Sequence, residues 1–99
     1  MKINTNRLTI KYTGPFRKDI KNLHTQKGGE NSLAALGEVI NIITQQQELP
    51  RRHRFHKLEG EYKGYSSCHV HNDLCLIWKV NKEEQNVTFY RVGTHSELY

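Results

Sequence analysis

The chain has 99 residues, of which 35% are hydrophobic, and its formal net charge is +5 at pH 7. This length provides one domain with a modest core, and no apolar run approaches the roughly 18 to 20 residues that span a bilayer. Residues 1–10 lack the apolar stretch of about 7 to 15 residues that marks a signal peptide, which predicts a cytoplasmic protein with no membrane partner. The positive charge favours a polyanionic partner, either nucleic acid or an acidic protein.

The N-terminal half predicts one strand followed by a helical hairpin. Residues 8–12 alternate apolar and polar side chains, as in a half-buried strand, and Thr13-Gly14-Pro15 then favours the start of a helix. Gly28-Gly29 is expected to end this helix, and a second helix is predicted to begin near Asn31 or Ser32 and to stop at Leu49-Pro50. The two helices have apolar stripes at helical spacing, formed by Phe16, Ile20 and Leu23 and by Leu33, Leu36, Ile40 and Ile43.

The C-terminal half predicts an ordered basic loop over residues 51–63 and three strands over residues 65–70, 74–80 and 87–92. The second of these strands is the most apolar and should be central. A short tail, residues 93–99, follows. The order of elements predicts an α+β fold for residues 1–99 as a single domain. The helical hairpin packs on one face of a small twisted, mostly antiparallel sheet, and the other face is left for function.

The two cysteines, Cys68 and Cys75, flank the predicted turn between the first two of these strands. A disulfide would form only if the register places them opposite each other, and the cytosol favours reduced thiols. Neither cysteine belongs to a closely spaced pair of the kind found in zinc ribbons or thioredoxin-like sites.

Histidine is the residue type that points to chemistry in this chain, because five of the six histidines lie in the C-terminal half: His53, His56, His69, His71 and His95. Histidine exchanges protons near neutral pH, as metal-free RNA cleavage requires. A base removes the proton of the ribose 2′-hydroxyl, which attacks the adjacent phosphorus, and an acid protonates the departing 5′-oxygen. RNA supplies its own nucleophile, so we predict neither a metal nor another cofactor.

Two other interpretations of these histidines stay open at this stage. Any one of them could be a surface or hydrogen-bonded structural residue, and His53 and His71 have no neighbour that argues otherwise. The short pairs His53-x-x-His56 and His69-x-His71 could instead bind zinc, although zinc sites usually include cysteine or carboxylate ligands in tighter motifs.

Basic residues cluster beside the histidines, which favours RNA over a merely solvated loop. We predict phosphate contacts from Arg54, Lys57 and Lys63, and from Arg91, which stands four residues before His95. Three aromatic side chains in or next to the loop could stack on bases: Phe55, Tyr62 and Tyr65. The only tryptophan lies in the most apolar strand and is predicted to be core.

Three segments carry a family pattern: residues 56–65 (HKLEGEYKGY), residues 69–73 (HVHND) with the apolar strand that follows, and residues 91–99 (RVGTHSELY). In this order they resemble the YafQ branch of the RelE superfamily, the toxins of bacterial type II toxin–antitoxin pairs. One such segment would be weak, whereas three in order are specific. The resemblance covers nearly the whole chain.

The resemblance implies a microbial-ribonuclease-like fold that cleaves mRNA in the ribosomal A site and therefore also contacts ribosomal RNA. It implies a cognate acidic antitoxin as partner, through which the complex would bind operator DNA. Carried over by position, the catalytic residues are His56, His69, Asp73 and His95, and the terminal aromatic Tyr99 is an RNA contact.

This sequence departs from the family pattern at three places, and the departures bear on the strength and codon preference of cleavage. Lys57 stands where the family usually has proline, Ser66 and Ser67 stand where it has arginine and an acidic residue, and Leu74 stands where it has tryptophan. Two rival functions also remain. The chain could be a non-catalytic module that occupies RNA or the ribosome, or a toxin relative kept as an antitoxin-binding repressor subunit.

Overall fold

The computed structural model describes residues 7–99; residues 1–6, part of the segment searched for a signal peptide, lie outside the described residues. Two helices, α1 (Gly14–Thr25) and α2 (Gly29–Thr44), pack on one face of a five-stranded sheet. The strands are β1 (Thr9–Tyr12), β2 (His56–Lys57), β3 (Ser66–His71), β4 (Leu74–Asn81) and β5 (Asn86–Thr94). Their spatial order is β1-β5-β4-β3-β2, which confirms that the most apolar strand, β4, is central.

The sheet is mostly antiparallel, as predicted, because only β1 and β5 run parallel. The predicted α+β class and the helical hairpin on one face are therefore confirmed. No helix in residues 7–99 combines the length and the apolarity that crossing a membrane requires.

Thr13 begins α1 and also ties this helix to the sheet. Its Oγ1 accepts a hydrogen bond from the Phe16 backbone N–H at 3.1 Å and donates one to the Tyr90 carbonyl at 2.7 Å. The cap thus satisfies one of the free N–H groups at the helix start and fixes the helix against β5. The helix buries Phe16 and Leu23 and ends at Thr25, ahead of the predicted Gly28-Gly29 boundary.

The predicted bounds of α2 were wrong at both ends. The helix begins at Gly29, directly after Gly28, whose φ of 78° is left-handed. A Cβ at Gly29 would overlap the Leu23 carbonyl oxygen, so glycine is what permits so tight a turn between the helices. The helix ends at Thr44, well before Leu49-Pro50. At this end of the helix the Thr44 hydroxyl donates a hydrogen bond to the Ile40 carbonyl at 2.7 Å.

The main core lies between the helices and the sheet. Trp78 belongs to it and is 4% exposed, which confirms the prediction that this side chain is core rather than a stacking surface. The largest fully buried side chains of the main core are Leu36, Val39, Leu76, Val87, Phe89 and Val92.

The register does not place the two cysteines opposite each other, because Cys68 pairs with Leu76 and Cys75 pairs with His69. Both thiols are free, and they belong to different cores on the two faces of the sheet. Burial raises the pKa of the Cys68 thiol to about 12, so this thiol stays protonated and unreactive near neutral pH.

The sequence prediction missed a short strand and a short α-helix. The segment over residues 51–63 contains the edge strand β2, which pairs with β3. The C-terminal tail contains a short helix, α3 (His95–Leu98), and a capping box between Thr94 and Glu97 stabilises its start. Gly93 lets this helix fold back onto the sheet, because an added Cβ would lie only 3.2 Å from the Leu98 side chain.

Candidate active site

The face of the sheet opposite the two helices, here termed the open face, carries the predicted site residues. It is not bare, because Cys75 and Ile77 of β4 are buried there beneath Leu98 of α3. Four further side chains pack against this second, smaller core: Leu58, Tyr62, Tyr65 and Tyr90. The second core anchors α3 and the segment after β2 on the open face. Tyr62 and Tyr65, two of the three aromatics predicted to stack on bases, are partly buried against this core.

His56 reaches the open face from β2. It is the direct cross-strand partner of Ser67, and such partners project from the same side of a sheet. The His56 Nδ1 lies 3.0 Å from the Arg54 carbonyl oxygen, which can only accept a hydrogen bond. We therefore infer that Nδ1 carries the hydrogen, so the neutral ring has its free lone pair on Nε2. The side chain is exposed, which leaves this nitrogen accessible to a ligand.

His69 lies on the same face, two residues and roughly 7 Å along β3 from Ser67. Immediately after it the strand bulges, because His69 pairs with Cys75 and His71 pairs with Leu74, which leaves Val70 as the extra residue. Val70 is buried in the main core, and the His71 Nε2 lies 2.8 Å from the Ser32 hydroxyl on α2. The bulge thus turns His71 toward the helices and leaves His69 on the open face.

The helix α3 adds His95 and Tyr99 to the open face. The Tyr99 hydroxyl donates a hydrogen bond to Ser67 Oγ at 2.9 Å, and its ring centroid lies 4.8 Å from that of His95. Burial raises the pKa of Tyr99 despite the opposing effect of the Ser67 hydrogen bond, so the hydroxyl remains a donor at neutral pH. Ser67, one of the departures from the family pattern, thus holds the terminal aromatic residue.

Asp73 lies at the same end of the sheet as His95. Leu74 and Thr94 are cross-strand partners in antiparallel strands. Asp73, which precedes Leu74, and His95, which follows Thr94, therefore leave the sheet side by side. Asp73 is exposed in the turn between β3 and β4, after Asn72, whose φ of 46° is left-handed. The structure therefore brings His56, His69 and His95 to the open face and places Asp73 in the turn beside His95.

The predicted phosphate contacts do not form one cluster on the open face. Arg54 lines a shallow cleft of about 410 Å³ together with His69 and Asn72, and Lys63 is exposed directly after a 3-10 turn, Gly60–Tyr62. Lys57 pairs with Ser66 and lies beside Phe55 in a cleft on the helix side, away from the face of His56. Alternation along the edge strand explains this separation.

Lys79 is a cation of the open face that the sequence prediction missed. It follows Ile77 by two residues in β4, and its Nζ lies 5.3 Å from the centre of the Tyr65 ring. Strict alternation from the buried residues of β4 could have identified it, because the same alternation that buries Ile77 directs Lys79 to that face.

Arg91 forms an ion pair with Asp19 of α1. Its Nε and Nη2 donate to the two carboxylate oxygens of Asp19 at 2.7 and 3.1 Å, and the Val92 backbone N–H donates to the same carboxylate at 3.0 Å. Hydrogen bonding to Asp19 raises the pKa of Arg91 further above its ordinary value. One edge of the guanidinium therefore holds α1 to β5, and the side chain remains 30% exposed.

The two histidine pairs considered for zinc are each split by the fold. His53 is buried, with Nδ1 bonded to the His69 carbonyl, whereas His56 is exposed on the edge strand. His69 and His71 turn to opposite faces at the bulge. Among residues 7–99, no group of three or more histidine, cysteine, aspartate or glutamate side chains lies close enough to hold a metal ion.

A helical hairpin packed on one face of a five-stranded sheet is the fold of solved bacterial toxins, and it places the chain in that class. More narrowly, the chain belongs to the YafQ family, because the family model described as "Bacterial toxin of type II toxin-antitoxin system, YafQ" matches residues 8–99. The chain is 33% identical over 90 residues to the mRNA interferase toxin YafQ of Escherichia coli K12, covering 91% of this chain and 94% of that relative.

Solved structures agree with this assignment. A metal-bound toxin from Helicobacter pylori superposes with a TM-score of 0.80 at 32% identity, covering 93% of this chain and 99% of that chain. The E. coli DinJ–YafQ complex includes a chain that superposes with a TM-score of 0.76 at 32% identity, covering 94% and 99%.

Proposed function

We propose that this chain is a ribosome-dependent mRNA endoribonuclease, the toxin of a type II toxin–antitoxin pair. The observation that carries the proposal is the convergence of His56, His69 and His95, from three separate elements, on one face of the sheet. The likeness to a curated mRNA interferase of E. coli supports mRNA as the substrate.

The proposed reaction uses the ribose 2′-hydroxyl as the nucleophile. His56 removes its proton, because the hydrogen on Nδ1 is held by the Arg54 carbonyl and the lone pair on Nε2 is free. The 2′-oxygen then bonds to the adjacent phosphorus, the bond to the 5′-oxygen breaks, and His95 gives that oxygen a proton. His69 and Arg54 stabilise the charge that builds on the phosphorane oxygens. Asp73, in the turn beside the start of α3, is assigned to the same proton-transfer site.

The ribosome supplies what the open face lacks. The cleft beside His69 and Arg54, about 410 Å³ in volume, is also lined by Val70 and His71 at the bulge, so it offers a long RNA strand little enclosed surface on the open face. Binding energy from contacts to ribosomal RNA would therefore position the scissile bond, and the exposed cations Lys63 and Lys79 are candidates for those contacts.

Expression of the protein alone in bacteria is expected to arrest growth and to yield mRNA cut within translated frames. The new ends should be 2′,3′-cyclic phosphates and 5′-hydroxyls, because the nucleophile belongs to the RNA. On purified programmed ribosomes kept intact with other polycations, cleavage should survive EDTA. Mapping of transcript ends and end-labelling chemistry measure both results.

Single-residue variants separate this proposal from a non-catalytic toxin that only occupies the ribosome. His69→Ala should abolish arrest, whereas His24→Ala, a matched change at an exposed histidine of α1, should not. Arrest that persists in His56→Ala and His69→Ala but is lost when Arg54 and Lys63 become alanine would instead establish the binding module. Ends that carry 3′-hydroxyls would contradict the proposed chemistry.

An acidic antitoxin is the proposed protein partner, and operator DNA would be bound through it. The E. coli toxin is solved in complex with DinJ, and the exposed cations around the open face of this chain, including Arg54, Lys63 and Lys79, fit an acidic segment lying across the site.

Association with the antitoxin is expected to slow as salt rises, because opposite charges accelerate encounter only while they are unscreened. Stopped-flow association rates should fall by about tenfold or more between low and high ionic strength. Lys63→Glu should slow association more than the matched change Lys18→Glu on α1. A partner that contacts only the helical hairpin and leaves cleavage intact would overturn this assignment of the open face.

A further inference from the structure

We propose that His53 is a positioning residue for His69, a role that rests on the proposed catalytic function of His69. His53 does not reach the open face and so takes no part in the reaction described above. The residue is 6% exposed, and its Nδ1 lies 2.7 Å from the His69 carbonyl oxygen.

This hydrogen bond falls where the sheet cannot supply one regularly. On the β2 side of β3, the two-residue strand β2 pairs with Ser66 and Ser67 and does not extend to His69. A buried carbonyl without a partner is unfavourable, since it has given up its bonds to water. His53 provides the donor from the turn after α2. Because a carbonyl only accepts, the Nδ1 of His53 must carry the hydrogen.

Holding this carbonyl also sets the direction of the His69 side chain. The carbonyl belongs to the same residue, so fixing it fixes the backbone torsion that aims the Cβ of His69. The other side of the bulge is fixed as well, because His71 bonds to the Ser32 hydroxyl at 2.8 Å. His69 is thus held at a bulge that Ser32 secures from the first turn of α2 and His53 from the segment that follows α2.

The ring nitrogen involved gives this proposal a sharp test. The amide nitrogen of asparagine occupies nearly the place of histidine Nδ1, whereas that of glutamine occupies nearly the place of Nε2. His53→Asn therefore keeps a donor facing the His69 carbonyl, and His53→Gln keeps an amide of similar polarity with its donor in the wrong place. His24→Asn and His24→Gln are the matched controls, at an exposed histidine on α1.

Single-turnover cleavage on programmed ribosomes should fall about tenfold in His53→Gln at unchanged half-saturating ribosome concentration, because a misplaced catalytic group slows the chemical step. His53→Asn should recover most of the wild-type rate, and both His24 variants should match it. NMR of the uncomplexed protein gives a readout that needs no activity: the His69 carbonyl and ring resonances should shift in His53→Gln and stay near wild type in His53→Asn.

The outcomes distinguish failure of this proposal from failure of the proposed function. One outcome is that the wild type cuts no mRNA while the His69 resonances still shift in His53→Gln and stay near wild type in His53→Asn. In that case the ribonuclease function is wrong and the positioning of His69 by His53 is confirmed. If His69 resonances are the same in both His53 variants, or if both variants cleave at equal rates, His53 does not position His69. If the two variants have equal melting temperatures, a difference between their cleavage rates does not arise from a difference in stability.

Discussion

Replacing His95 with alanine is expected to lower single-turnover cleavage on programmed ribosomes by about a hundred- to ten-thousand-fold, the usual contribution of one general acid or base. The ring is exposed at the start of α3, so its loss removes little packing. Ribosome binding and the melting temperature should therefore change little. A rate equal to wild type would remove His95 from the reaction and shift the proton transfers to His56 and His69.

The tail that carries His95 offers a graded control for this result. Deletion of Leu98 and Tyr99 removes a side chain buried against Cys75 and Ile77 and the hydrogen bond to Ser67, so α3 should detach and cleavage should fall as far as in His95→Ala. Tyr99→Phe keeps the ring beside His95 and loses only the hydroxyl, so its effect should be much smaller.

Periodicity predicts every element that buries a whole apolar face. The strands β1, β3, β4 and β5 and both helices follow from alternation or helical spacing, and so does the helical layer on one face of the sheet. The missed elements, β2 and α3, have two and four residues. Each depends on contacts with residues distant in sequence, and so neither has a local pattern long enough to detect.

The site residues could be predicted as a set, but their placement could not. Alternation puts His69 and His71 on one face, and only the bulge at Val70 separates them. A bulge has no sequence signal here, because it is held by the His53 ring and by Ser32, which lie 16 and 39 residues from their partners. The same limit applies to Ser67, a departure from the family pattern whose contact with Tyr99 appears only in the folded chain.

Asp19 and Arg91 provide the prediction with the largest expected effect on stability. The Asp19 carboxylate accepts three hydrogen bonds, two from Arg91 and one from the Val92 backbone N–H, and the Asp19 side chain is 11% exposed while Val92 is 2% exposed. Hydrogen bonds to a charged group contribute roughly 1.5 to 3 kcal/mol each when buried, and partial exposure of Arg91 reduces this. Asp19→Ala should therefore cost about 2 to 3 kcal/mol of unfolding free energy, because it also leaves a buried N–H without its acceptor.

Chemical denaturation measures this loss, and the melting temperature should fall by roughly 10 °C or more. Arg91→Ala should cost less, because Asp19 retains the Val92 N–H, and the double variant should be less destabilised than the sum of the two singles, since both remove the same ion pair. Comparing cleavage in the folded variants then tests the predicted RNA contact of Arg91. If this side chain also holds a phosphate oxygen, Arg91→Ala loses activity that Asp19→Ala keeps; equal activities would assign Arg91 to the fold alone. An unchanged unfolding free energy in Asp19→Ala would contradict the role given to this ion pair in holding α1 against β5.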